Sequence, residues 1–212
     1  MKRLGILLSG RGSNFIAIAD AIANRRLMGA EIAIVLSNVA DAPGILAAQE
    51  RGLTTAVVES KGRSRAEHDA EVVARLHQHG ADLVCLAGYM RILSPHFVEA
   101  FPQCILNIHP SLLPDFPGLH PQQQALAAGV AESGCTVHFV DEQVDHGAII
   151  LQRSVPVLPG DTEETLAARI LEQEHGVYPE AIARVLSGQY ECRDGRYVKR
   201  GSSASHAKAA NS

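Results

Sequence analysis

The 212-residue chain has no basic surplus: 19 Lys and Arg stand against 23 Asp and Glu, a net charge of -4. Binders held to nucleic acid by electrostatics usually carry a basic excess. That class is set aside, although a local basic pocket for one small anion is not. No apolar run approaches the length of about 18 residues that a membrane-spanning helix needs. The apolar run in the opening MKRLGILLSGRGSN is too short for a signal peptide, and glycines follow at once. Only four cysteines are present, Cys85, Cys104, Cys135 and Cys192, with no C-x-x-C. Three sit in apolar, strand-like runs, so they read as buried free thiols of a reducing cytoplasm rather than as a zinc site. The motifs G-x-S-x-G and H-E-x-x-H are absent, and His77 and His79 sit on a polar helix face. Neither an esterase triad nor a metal is therefore expected.

What is present is enough to bury a core. Apolar residues make up 46% and charged ones 20%, and the length suits one domain. Short apolar runs at 3–8, 31–36, 54–58 and 82–87 read as strands. Between them, 14–28, 43–52 and 65–79 carry apolar residues at helical spacing. The alternation predicts a Rossmann-like, doubly wound, mostly parallel sheet with helices on both faces. Strands buried on both faces should be continuously apolar, as these are. The second half differs. A strand at 104–108 precedes a proline-rich stretch, and a helix is expected over 120–128. Runs 135–140 and 148–155 read as two further strands, antiparallel additions joined by an acidic turn. A helix over 162–186, capped by Asp161 or Thr162, and a small hairpin at 189–199 around Asp194-Gly195 complete the domain at about residue 200. The tail 201–212, with no large apolar residue, is expected to be disordered.

Four segments could carry chemistry. SGRGSN at 9–14 lies between a strand and a helix. Its glycines and the helix N-terminus suit a phosphate; equally, it is a glycine turn with Ser13 as N-cap. It matches neither the dinucleotide nor the P-loop spacing. In NIHPSLLP, Asn107 and His109 flank one residue at a strand end, so both face one side. An amide and an imidazole then share a pocket, or His109 is a hydrogen-bonded core residue. In HFVDEQVDHG, Asp141, Glu142 and Asp145 crowd a turn that is either a solvated loop or the source of one inward carboxylate. A buried carboxylate beside an imidazole favours the imidazolium, and Asp145, followed by Gly147 and an apolar strand, is the better placed. In LAGYMRIL, Gly88 ends a strand, Arg91 stands amid apolar residues and Pro95 closes the segment. Such a loop covers the core or offers an apolar wall to a flat heterocycle.

Together, SGRGSN, SNVADAPG at 37–44, LAGYMRILSP at 86–95, NIHPSLLPDFPGLH at 107–120, TVHFVDEQVDHGAII at 136–150 and QEHGVYP at 173–179 resemble the folate-dependent phosphoribosylglycinamide formyltransferases over about residues 3–190. The resemblance implies formyl transfer from 10-formyltetrahydrofolate, as co-substrate and without a metal, to the amine of 5-phosphoribosylglycinamide in purine synthesis. It implies that Asn107 donates to a tetrahedral oxyanion and that His109, held as imidazolium by Asp145, stabilises it and passes a proton to the leaving nitrogen. Gly12, Ser13 and Asn14 look like the phosphate cradle, and Glu174 like a contact to the ribotide. Met90, Arg91, Ile92 and Leu93 look like one wall of the pterin pocket, with Val140, Asp141, Glu142, Gln143 and Val144 opposite. Arg65 matches a position near the folate, and His120 and His138 match supporting histidines. One departure is PQQQ at 121–124, where the family often has a further histidine after PGLH; it bears on local packing or phosphate contacts. The implied setting is a cytoplasmic monomer or homodimer with small-molecule partners, neither nucleic acid nor membrane. Methionyl-tRNA formyltransferase would need a further tRNA domain for which 212 residues leave no room. The remaining alternatives are a formyltetrahydrofolate deformylase-like hydrolase and a catalytically silent binding module on the same fold.

Overall fold

The computed structural model describes residues 1–193 and 195–201. Asp194 of the hairpin and, after Gly201, the tail lie outside the described residues. In chain order the elements are β1 (Lys2–Leu8), α1 (Ser13–Ala23), β2 (Ala30–Ser37), α2 (Pro43–Glu50), β3 (Thr55–Val57), α3 (Arg65–Gln78), β4 (Leu83–Leu86) and α4 (Pro95–Ala100). There follow β5 (Ile105–His109), α5 (Pro121–Ala128), β6 (Glu132–Phe139), β7 (Ile149–Pro156), α6 (Glu163–Leu186), β8 (Tyr190–Arg193) and β9 (Arg196–Lys199). One seven-stranded sheet has the order β3-β2-β1-β4-β5-β6-β7, and β8-β9 form a separate hairpin. The strands from β3 to β5 run parallel. The strands β6 and β7 are added antiparallel, as expected for the second half.

Burial on both faces explains the lack of alternation in the first strands. In β1, Leu4, Ile6 and Leu8 join the core that contains Phe15 of α1, Ile45 of α2, Ala125 of α5 and Ile170 of α6. Leu7 joins the opposite core, with Val72 of α3 and Phe97 of α4. The two-residue period of a strand sorts the same hydrophobic type to two sides. In β5 it sends Leu106 and Ile108 to the first core and Ile105 to the second. Asn107 and His109 share the parity of Ile105 and emerge past the end of the second core. The order in which strands are added reverses between β1 and β4, where an open parallel sheet leaves a crevice at its carboxyl edge.

Three local expectations need correction. The first helix stops at Ala23 rather than near residue 28. The N–H groups of Arg26 and Leu27 both turn back to the Ala21 carbonyl, and Arg25 takes φ 57°. Leu27 still reaches the core, by a turn rather than by helical phase. Pro95 does not close its segment but opens α4, with Ser94 as N-cap accepting from the Phe97 N–H at 3.4 Å. Proline at the first helical position gives up only an N–H that has no partner there. Ser13 is not an N-cap: Gly12 holds that position at φ 71°, which glycine adopts without strain.

Candidate active site

The loops at the carboxyl edge enclose a cavity of about 490 Å³. Its floor is the end of β5, with Asn107 and His109; one side is the 88–93 loop, the other the 140–145 loop, and the 118–122 segment closes a third. Met90, Arg91, Ile92 and Leu93 therefore face the same space as residues 140–144. Met90, Ile92 and Val144 are largely exposed at its mouth. Among the described residues, the backbone N–H groups of Arg91, Ile92 and Leu93 have no protein acceptor.

Asp145 is brought to His109 across the β6–β7 turn. Gly147 makes this possible: a Cβ there would lie 1.9 Å from the Phe139 carbonyl oxygen. The chain folds back tightly on β6, and Asp145 turns inward at φ 53°. Its side chain is 10% exposed, with Oδ2 3.3 Å from His109 Nδ1. The Gly118 N–H donates to Oδ2 at 2.9 Å. Asn107 Nδ2 donates to Oδ1 at 3.4 Å, and His138 Nε2 lies 3.6 Å from it. Burial pushes the Asp145 carboxyl up. Hydrogen bonds from His138 and the Gly118 N–H, and the charges of His109 and His138, outweigh it and hold the group below its ordinary value.

His109 Nε2 points at the Phe116 carbonyl at 2.9 Å. Both ring nitrogens thus face acceptors. An imidazolium satisfies both, whereas a neutral ring would set a lone pair against an oxygen. His138 is buried, with Nδ1 donating to the Phe139 carbonyl at 2.7 Å and Nε2 3.2 Å from Asn107 Nδ2. His120 and Asp145, which line the cavity, and Phe116, whose carbonyl faces His109, all hold positive φ, and such strain gathers at functional sites.

The glycine loop forms a second, adjoining cluster. The first-turn N–H groups of α1, from Ser13 onward, have no partners within the helix. Asn14 does not face outward: its Nδ2 donates to Glu174 Oε2 at 2.6 Å, and its buried Oδ1 has no hydrogen-bond partner among the described residues. Glu174 is 7% exposed, and burial pushes its carboxyl up although Asn14 opposes the shift. One turn later on α6, the Tyr178 hydroxyl lies 3.0 Å from the carbonyls of Leu86 and of Leu106, the neighbour of Asn107. Helix α6 thereby ties the two clusters together.

Other candidates stand apart from the cluster of Asn107, His109 and Asp145. Arg65, the first residue of α3, is exposed and does not line the cavity. Asp141 is engaged within its own turn, accepting from the Gln143 N–H at 2.9 Å and pairing with His146 at 3.0 Å. Glu142 and Gln143 are exposed at the rim. His120 is exposed and pairs with Glu163 at 3.5 Å. In the PQQQ segment, Gln124 donates to the carbonyls of Pro117 and Leu119, propping the strand-to-helix loop beside the cavity. Burial pushes the thiols of Cys85 and Cys135 up to about 12, so both are protonated at neutral pH. Among the described residues, no group of three or more His, Cys, Asp or Glu is placed to hold a metal, and no helix is long and apolar enough to cross a membrane. The Phe116 carbonyl and the Gly118 N–H have no sequence signal, because backbone groups leave no side-chain signature. Nor does the sequence mark Ser9 as a joint: its N–H donates to the Gly88 carbonyl and its hydroxyl accepts from the Met90 N–H.

Comparisons with known proteins agree with this architecture. A sequence profile described as formyl transferase matches residues 2–182. The trifunctional purine biosynthetic protein adenosine-3 of Drosophila pseudoobscura pseudoobscura is 50% identical over 189 residues, covering 88% of this chain but 14% of that protein. The phosphoribosylglycinamide formyltransferase of Escherichia coli K12 is 43% identical over 190 residues, 89% of each chain. The crystal structure of glycinamide ribonucleotide transformylase 1 from Symbiobacterium toebii superposes with a TM-score of 0.91 at 48% identity, covering 94% of each chain. A profile match running through the strands, the crevice and the helix that joins its two clusters makes this chain a member of the formyl transferase family.

Proposed function

We propose that this chain transfers the formyl group of 10-formyltetrahydrofolate to the primary amine of 5-phosphoribosylglycinamide, as the names of its full-length relatives suggest. The observation that carries the reading is the meeting of Asn107, His109 and Asp145 in one cavity. The reduced folate enters between the 88–93 and 140–144 walls. Its flat pterin is read by the free N–H groups of Arg91 to Leu93 and by apolar contact. The ribotide phosphate sits at the Gly12–Ser13 end of α1, where first-turn N–H groups favour an anion. Glu174, held by Asn14, meets the ribotide.

The amine attacks the formyl carbon, and the carbonyl oxygen becomes an oxyanion. Asn107 and His109 stabilise it. Their present bonds, to Asp145 and to the Phe116 carbonyl, are exchanged for the stronger charged acceptor. His109 then gives its proton to the departing folate nitrogen as the carbon–nitrogen bond breaks. Asp145 helps remove the proton from the attacking amine through water, and that proton restores the imidazolium. Asp145 also keeps His109 cationic while the charge develops.

The test is formyl transfer by the purified chain and by Asp145→Asn, with the ribotide and then with water as acceptor. Transfer to the ribotide that collapses in the variant supports the reading. Formate release that does not need the ribotide would overturn it in favour of a deformylase. Binding of the folate without turnover to either acceptor would overturn it in favour of a silent module.

A further inference from the structure

A second His–Asp pair lies outside the catalytic cluster. His68 and Asp69, in the first turns of α3, are both 0% exposed and line no part of the cavity. His68 Nε2 is 2.8 Å from the Val58 carbonyl, so that nitrogen carries a proton. Its Nδ1 is 3.3 Å from Asp69 Oδ1. The other carboxylate oxygen, Oδ2, accepts the Ser94 N–H at 2.6 Å.

Ser94 is where the 88–93 wall ends and α4 begins. At the wall's other end, Ser9 holds the Gly88 carbonyl at 3.0 Å and the Met90 N–H at 2.8 Å. The loop is thus pinned at two points, with the free N–H groups of Arg91 to Leu93 between them. Two buried side-chain atoms on the same stretch, Tyr89 Oη and Arg91 Nε, have no hydrogen-bond partner among the described residues, so they add no anchor. Full burial of a carboxylate is costly, and packed apolar residues would fill such a space at least as stably. What the carboxylate adds is a short, charge-assisted bond to one backbone N–H at the edge of the wall.

We propose that Asp69, oriented by His68, is a positioning residue for the folate side of the reaction: it fixes the end of the 88–93 wall. This rests on the proposed function, which makes that wall the folate's. Removing Asp69 loosens the wall and leaves the glycine loop, β5 and Asp145 in place.

Two variants and one measurement on the unmodified chain test it. In Asp69→Ala, the KM for 10-formyltetrahydrofolate rises about 10- to 100-fold, the loss expected for a charged hydrogen bond. The KM for the ribotide and kcat move by less than about threefold. Asp69→Asn stays close to the unmodified chain, because the amide oxygen can accept the Ser94 N–H and the amide nitrogen can face His68 Nδ1. Equal rises in both KM values, or Asn behaving like Ala, would overturn the proposal. Should Asp69→Ala not fold, the Ser94 amide of the unmodified chain decides: hydrogen exchange as slow as that of β4 supports the pin, and fast exchange overturns it. If the unmodified chain transfers no formyl group, the proposed function fails. The pin is then judged on direct binding of 10-formyltetrahydrofolate, which Asp69→Ala weakens by the same factor and Asp69→Asn does not.

Discussion

Asp145 and Glu174 are two buried carboxylates of one functional region, and they are treated in opposite ways. The Asp145 side chain is 10% exposed and Glu174 is 7% exposed, so burial presses both toward the neutral form. Around Asp145 the 116–118 segment, β5 and β6 supply an N–H from Gly118, an amide from Asn107 and two imidazoles. Around Glu174 stands, among the described residues, one amide, from Asn14. The first carboxyl is held down and the second is driven up. The number of donors, not the depth of burial, decides the charge. Asp145 is built to stay ionised beside an imidazole; Glu174 is pushed toward its protonated form.

The largest test of that difference is Asp145→Asn. It keeps the shape but removes the negative charge beside His109 Nδ1, on which the proposed mechanism relies. Formyl transfer falls about 100- to 10,000-fold, the range for a disabled acid–base system. Steady-state rates with both substrates saturating check this. A loss of less than about tenfold would mean that the imidazolium needs no carboxylate, since this is below what acid–base groups supply.

A smaller effect is expected at the other carboxylate. Asn14→Ala strips Glu174 of the amide that donates to it and leaves a buried group unpartnered, at a cost of about 1–3 kcal/mol. Urea unfolding at neutral pH measures it. Glu174→Gln paired with Asn14→Ala in a double-mutant cycle isolates the carboxylate's share. If both single variants and the double are equally stable, the 2.6 Å bond contributes nothing, and the contrast with Asp145 fails.

The Asp145 side of this contrast is legible in the sequence, and the reason is geometric; the state of Glu174 is not. Asn107 and His109 stand two apart in a short apolar run, so strand parity puts them on one side whatever surrounds them. Strands β1, β2 and β4 are buried on both faces and announce themselves as apolar runs. Asp145 was legible through Gly147, since a glycine before an apolar strand signals a chain turning back on itself. What resisted reading is carried by groups without a side chain, or by turns that override helical phase. The Phe116 carbonyl and the Gly118 N–H act through backbone atoms. Leu27 has the spacing of a helix residue but reaches the core around a left-handed Arg25. Asn14 reads as part of a phosphate cradle, yet its amide is turned inward onto Glu174, a partner 160 residues away. No local pattern encodes that contact. Asp69 and Ser94 are likewise joined only by the packing of α3 against α4.

The smallest effect, and the sharpest on sign, is the dependence of stability on pH. Asp145 has its folded value below its unfolded one. As pH falls below about 4, the usual aspartate value, the unfolded chain takes up a proton first. Stability contributed by Asp145 is therefore full above that point and is lost as pH drops through the folded value. Glu174 has its folded value above its unfolded one. Its contribution is full below about 4.3, the usual glutamate value, and is lost as pH rises through the folded value. Unfolding free energies measured from acid to neutral pH should then separate the two. Asp145→Asn flattens the acid side of the curve. Glu174→Gln leaves the acid side alone and gains on the unmodified chain as pH rises, because it removes a buried group that must give up its proton. If Glu174→Gln instead loses stability toward neutral pH, the Asn14 bond outweighs burial, and the two carboxylates are of one kind after all.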